Sequence, residues 1–155
     1  MTILMIVLSI IGGALLSIQA AINGQLGNKV GVFRCAFLTF SVGALVTALL
    51  IFYFEPNHAV TLMDVPKWQL LGAMCGVPYI VIMVIAVQRI GVAVSTVAVI
   101  FGQLLMSMLI DNFGWFGNSE ITLSAPRIGA IICLAAALYF IYASSRKSVS
   151  VATAE

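Results

Sequence analysis

The sequence predicts an all-α integral membrane protein with five transmembrane helices, and three observations carry that prediction. Hydrophobic residues make up 63% of the chain and charged ones only 8%, against roughly 45–50% and 25% in a soluble domain. The apolar residues fall into five runs of about 20 residues, and ~20 helical residues rising 1.5 Å each span the roughly 30 Å of a hydrocarbon core. Asp and Glu are missing from the interior of every run, while all seven Lys and Arg sit at run ends or in short gaps. A soluble protein of 155 residues could not hide that much apolar surface, so lipid or partner chains must cover it.

The first helix is expected over residues 2–22. The Gly- and Asn-rich stretch that follows, NGQLGNKVGVFR, reads as a connector because Asn-Gly is a turn dipeptide. The second helix, 35–54, stops at Glu55-Pro56, since proline lacks the amide proton that would continue it. A polar loop carrying His58, Asp64, Pro66 and Lys67 leads into the third helix, 68–88, which Pro78 should kink. From Leu71 to Ile110 the one charge is Arg89. A single helix over that stretch would overshoot the bilayer about twofold. QRIG, Gln88 to Gly91, is therefore read as a tight turn, with Arg89 snorkelling to the interface. The fourth helix follows over 92–110. The next loop, DNFGWFGNSEITLSAPR, carries an aromatic cluster suited to the headgroup level. The fifth helix, 128–143, ends before Arg146 and Lys147. Residues 1–145 thus form one membrane domain and 146–155 a short disordered tail. The first run lacks a preceding Lys or Arg and exceeds the roughly 7–15 residues of a signal-peptide core, so it is expected to stay as a membrane helix.

Orientation follows from the cations. Lys67 and Arg127 fall on the N-terminal side of such a topology; Lys29, Arg34, Arg89, Arg146 and Lys147 fall on the other. The positive-inside rule then favours N-out and C-in. The bias is small enough to leave a mixed population open.

The informative residues are the polar ones within the runs. Gln19 and Asn23 are four apart and share a helix face. An unpaired amide in lipid costs a few kcal/mol, so this face should meet another helix or a wet cavity. Two readings stay open for both residues: lining of a substrate cavity, or interhelical glue worth roughly 0.6 kcal/mol per bond. Asn23 could also terminate the helix. Gln103, Ser107 and Asp111 repeat the spacing of four. Gln103 lies mid-run, where an amide is functional more often than at a surface; Asp111 lies at the run end, where solvation or capping accounts for a carboxylate more often than a role in transport does. Tyr79, beside Pro78, could offer its hydroxyl or ring to a substrate. Ser95 and Thr96 should return their hydroxyls to the backbone four residues earlier. Small residues recur every fourth position at Ser9, Gly13 and Ser17, and again at Gly72 and Gly76, a pattern that lets membrane helices approach closely.

Other functions are disfavoured. Cys35, Cys75 and Cys133 lie far apart, without metal-ligand or disulfide-framework spacing, and read as packing residues. His58, the single histidine, has no catalytic partner at motif spacing. No phosphate-cradling glycine motif is present, and the net charge of +2 is scattered, which argues against nucleic acid as a partner. No enzyme activity, cofactor or metal is expected.

ALLSIQAAINGQLG, FSVGALVTALL, the stretch LLGAMCGVPYIVIMVIAVQRIGVAVSTVAVIFGQLLMSMLIDNFGWFG and RIGAIICLAAALYFIY follow one another in order. Together they resemble the YdcZ-like branch of the drug/metabolite transporter (DMT) superfamily. The most specific pieces are GQLLMSMLIDNFG, Gly102 to Gly114, and QAAINGQLG, Gln19 to Gly27. The resemblance implies a five-helix, DMT-type half-transporter of the bacterial inner membrane. The resemblance implies that short chains of this kind pair antiparallel, while longer ones fuse two inverted halves. The expectation for this chain is a small-molecule carrier made of an antiparallel homodimer, or of a heterodimer with a paralogous five-helix subunit, with a polar site near the midplane. The resemblance places Gln19, Asn23, Gln103 and Ser107 on motif positions. Small multidrug-resistance relatives in the superfamily use a glutamate on the first helix to exchange protons for cations; this chain has none there. An amide-lined site suits a neutral, zwitterionic or weakly polar solute better. The rival readings are a passive channel and a non-transporting membrane scaffold.

Overall fold

The computed structural model describes residues 1–56 and 64–152, with side chains as far as Ser145. His58 and the side chains of Arg146 and Lys147 lie outside the described residues. The protein is all-α. Its helices are α1, Thr2–Val30; α2, Val32–Phe54; α3, Gly72–Phe113; and α4, Ala125–Ala152. Short 3-10 turns occupy Lys67–Leu71 and Trp115–Gly117. Among the described residues four helical segments, of which the Lys67–Leu71 turn extends the third, are long and apolar enough to cross a membrane. The backbone of α4 continues past Ser145, where neither Pro nor Gly is present to stop it.

The connector expected at NGQLGNKV is instead the last two turns of α1, which breaks only at Gly31. Tertiary packing overrides the turn signal here. A glycine inside a helix costs about 1 kcal/mol relative to alanine, but Gly24 and Gly27 are buried and permit an approach that no other residue allows. A Cβ on Gly24 would overlap the Val87 side chain. One on Gly27 would overlap Val84 and lie 2.7 Å from Gln88 Nε2. The lengthened helix has 29 residues, about 43 Å at 1.5 Å per residue.

Gly31 ends α1 and starts α2 by itself. Its amide donates to the Gly27 carbonyl at 3.0 Å, and its carbonyl accepts from the Cys35 amide at 3.0 Å. It adopts φ 93°, ψ 152°, a region essentially restricted to glycine. Gly91, the one residue of α3 outside helical geometry, repeats that conformation with φ 79°, ψ 167°. The interruption of α3 therefore falls within QRIG and not at Pro78, which lies inside the helix.

Two compact units share the chain, Met1–Arg89 and Ile90–Glu155. In the first, Cys35, Ala36, Ile80 and Val84 form a buried cluster against which Leu26, Val30, Val32 and Tyr79 pack. This core joins the C-terminal end of α1, the start of α2 and the 72–89 part of α3. Residues 1–11 and 41–54 are exposed throughout, so the helices of this unit pack near Gly31 and leave their other ends uncovered. The row Ser9, Gly13, Ser17 faces no neighbour at Gly13; Ser9 and Ser17 return their hydroxyls to the Met5 and Gly13 carbonyls.

In the second unit the loop after α3 folds back on the helix end. Gly114 is left-handed, at φ 60°, and Phe116 shares that conformation at φ 61°. The Ile121 amide donates to the Asp111 carbonyl at 2.8 Å, and the Leu123 amide to Asn112 Oδ1 at 3.2 Å. Arg127, in the first turn of α4, reaches Asp111 Oδ2 at 3.4 Å. Ser95 Oγ donates to the Gly91 carbonyl at 2.7 Å as expected. Thr96 does not follow: its buried Oγ1 has no hydrogen-bond partner.

Glycine substitutions separate these roles. Gly31→Ala and Gly91→Ala should each destabilise by about 1–3 kcal/mol through backbone strain alone, because a Cβ at either position meets open space. Gly27→Ala should cost a similar ~1–3 kcal/mol through overpacking. Gly13→Ala, helical and unobstructed, should be neutral or stabilising by up to about 1 kcal/mol. Equilibrium unfolding of the four variants in mixed micelles checks the ranking.

Candidate functional site

The first unit holds a cleft between α1 and the 72–89 part of α3. Gln19, Ala20 and Asn23 form one wall and Tyr79, Met83 and Val84 the other. Its volume is about 230 Å³ including the open mouth. The enclosed part has room for roughly one water molecule, so within this unit the cleft is a lateral notch and not a closed chamber.

Three of the residues singled out from the sequence meet in this notch, in different states. Asn23 is 7% exposed, and its Oδ1 accepts a hydrogen bond from Thr39 Oγ1 at 3.1 Å. Its carbonyl also accepts from Cys35 Sγ at 3.3 Å. Asn23 thus ties α1 to α2 and does not terminate a helix. Gln19, one turn earlier, is exposed, and no hydrogen bond joins its amide to another described residue. Tyr79 is half-buried against the core cluster. Lengthening α1 moves Gln19 away from the helix end. It now stands about 5 Å along the axis from the midpoint of α1, and Tyr79 about 3 Å from the midpoint of residues 72–90.

Gln103 and Ser107 belong to the second unit and are exposed on α3. Gln103 lies within about 2 Å of the midpoint of residues 92–113. Ser107 returns its hydroxyl to the Leu104 carbonyl at 3.0 Å, the ordinary state of a serine within a helix. Asp111 is paired with Arg127, both about one-third exposed, so its carboxylate serves the loop.

Two participants escape sequence reasoning. Thr39, the partner of Asn23, carries no pattern of its own within the second apolar run. Gln88 sits in what reads as a turn, yet its Nε2 donates to the Gly24 carbonyl at 3.4 Å; a search for amides facing the α1 glycines could have found it. Among the described residues no group of three His, Cys, Asp or Glu is placed to hold a metal, and Cys35, Cys75 and Cys133 are free thiols.

Four long apolar helical segments among the described residues, with amides near mid-helix beside an open notch, are those of a multi-pass membrane protein. Its family is specific. The chain belongs to the YdcZ family of the drug/metabolite transporter superfamily: the family model described as "Putative inner membrane exporter, YdcZ" matches residues 4–140. No curated protein and no solved structure matches the chain.

The two amides on α1 should separate in a stability measurement. A double-mutant cycle on Asn23→Ala and Thr39→Val should return a coupling of ~0.6 kcal/mol, and no more than about 1.7. Gln19→Leu should leave stability unchanged or raised, because it removes an unpaired amide from an apolar setting. A loss at Gln19 equal to that at Asn23 would make Gln19 interhelical glue.

Proposed function

We propose that this protein is a small-molecule secondary transporter of the bacterial inner membrane, acting in export. Each subunit crosses the membrane five times, with Gly91 dividing α3 into two spans, and the cation bias sets N-out and C-in. Two subunits pair antiparallel, as identical copies or with a paralogous partner, and alternating access arises as one rocks against the other. The substrate meets Gln19, Tyr79 and Gln103 near the midplane, with Asn23 and Ser107 shaping the wall. It is neutral, zwitterionic or weakly polar, because the notch offers amides and a phenol but no carboxylate.

The observation that carries this reading is the state of Gln19. An exposed, unpaired amide near the middle of a long apolar helix is costly in hydrocarbon and contributes nothing to the fold of its own unit. A bound solute or a second subunit would supply its partners. The size of the notch supports pairing, since a substrate of ordinary dimensions needs a site of ~300 Å³ or more. So does the uncovered row Ser9, Gly13, Ser17, the kind of surface on which membrane helices associate.

Counterflow in liposomes tests the site. A panel of radiolabelled neutral and zwitterionic metabolites should yield at least one whose uptake saturates and accelerates against internal unlabelled solute. Gln19→Ala with Gln103→Ala should lower that flux at least tenfold, while protein incorporation stays unchanged. Unsaturable flux without counterflow would make the protein a pore, and flux untouched by the double substitution would sink the site.

A further inference from the structure

We propose that the groove between α2 and the 72–89 part of α3 is a binding site for an anionic phospholipid. One acyl chain lies in the groove, and the phosphate is held by Arg34 together with Lys29 and Arg89. This site is separate from the Gln19 notch and does not depend on the transport reading.

The groove is built by Phe33, Ala36, Phe37 and Phe40 on α2 and by Val77 and Val81 on α3. Phe33, Phe37 and Phe40 follow one another at helical spacing and form one wall about 10 Å long. The buried Ala36 leaves the floor open, and the Phe40 ring lies against Gly76, 3.4 Å from where a Cβ would stand. The volume is about 510 Å³ including the open side, and every lining side chain is a hydrocarbon. Phe33 and Phe37 are 80% and 72% exposed, so the groove is reached from the side, where acyl chains are the surrounding solvent. A polar solute has nothing to bond there.

What distinguishes this groove from ordinary lipid-facing surface is its charged end. Lys29 lies in the last turn of α1, Arg34 in the first turn of α2 beside Phe33, and Arg89 at the end of the unit; all three are exposed. The contacts of Gly24 and Gly27 with Val87, Val84 and Gln88 bring these three helix ends to one level. No ion pair joins any of the three cations to another described residue. The described carboxylates of this unit, Glu55 and Asp64, follow the far end of α2 or precede the Lys67–Leu71 turn, at the opposite end. Arg34 also sits at the positive end of the α2 dipole, an unfavourable place for a cation by itself. The amides of the first helical turn lack partners within the helix. A phosphate there would satisfy the dipole, the free amides and the three cations together. An acyl chain descending from it enters the groove at Phe33.

The test uses the full chain carrying Phe37→Trp as reporter, with Trp68→Phe and Trp115→Phe, in phosphatidylcholine vesicles. Brominated phosphatidylglycerol or brominated phosphatidylcholine is titrated in and tryptophan quenching is read. Phosphatidylglycerol should associate with the groove at least tenfold more tightly, and Arg34→Gln should remove about fivefold of that preference. Native mass spectrometry of the protein with its natural Phe37, Trp68 and Trp115 is the second measurement: it should retain phosphatidylglycerol through delipidation and lose it on Lys29→Gln with Arg34→Gln. Equal quenching by the two lipids would reduce the groove to ordinary annular surface. Absence of quenching by either would mean that protein covers it. Either result overturns the proposal.

Discussion

Everything in the first unit depends on how closely α1 approaches α3 at Gly24 and Gly27. In hydrocarbon there is no hydrophobic drive to bring helices together, because lipid tails are as apolar as leucine. What remains is dispersion over surfaces that fit. Two hydrogen atoms in place of side chains let Val84 and Val87 enter the α1 surface. That contact sets the level at which Cys35 and Ala36 meet Ile80. It also fixes the separation of the walls one and two turns further along α1, where Gln19 and Tyr79 flank the notch. The glycines cost helix stability locally, and the packing around them offsets that cost.

The apolar runs made the helices legible, because nothing but a membrane accounts for their length and charge distribution. The breaks at Glu55-Pro56 and within QRIG are legible for separate reasons: proline has no amide proton to donate, and about 40 apolar residues are too long for one span. The stretch NGQLGNKV was misread. Its composition is that of a turn, and a single sequence does not reveal that a glycine is needed for a neighbour's methyl group and not for a positive φ. Of Gly24, Gly27 and Gly31, the last alone takes a positive φ. Local signals rank these glycines equally, and tertiary structure separates them.

The candidate site was half legible for a related reason. Polar residues in an apolar run announce themselves, so Gln19, Asn23 and Gln103 stood out, but their chemistry depends on who faces them. Asn23 and Gln19 are chemically near-identical and one turn apart. The first is consumed by Thr39, and the second has no hydrogen-bond partner among the described residues. Asp111, the charge within GQLLMSMLIDNFG, is occupied with holding Arg127 and the following loop. Intramembrane polarity is therefore a pointer to places worth inspecting, and the hydrogen-bond inventory decides among them.

Gly31 gives α1 and α2 no slack. A connector of one residue, hydrogen-bonded on both sides, cannot lengthen, slide or flip. At this end the two helices therefore stay in register with each other. The same economy leaves that end of the hairpin without a loop for a protease, an antibody or a soluble partner to grasp. Whatever acts on the hairpin from outside the bilayer must pull on its open arms instead.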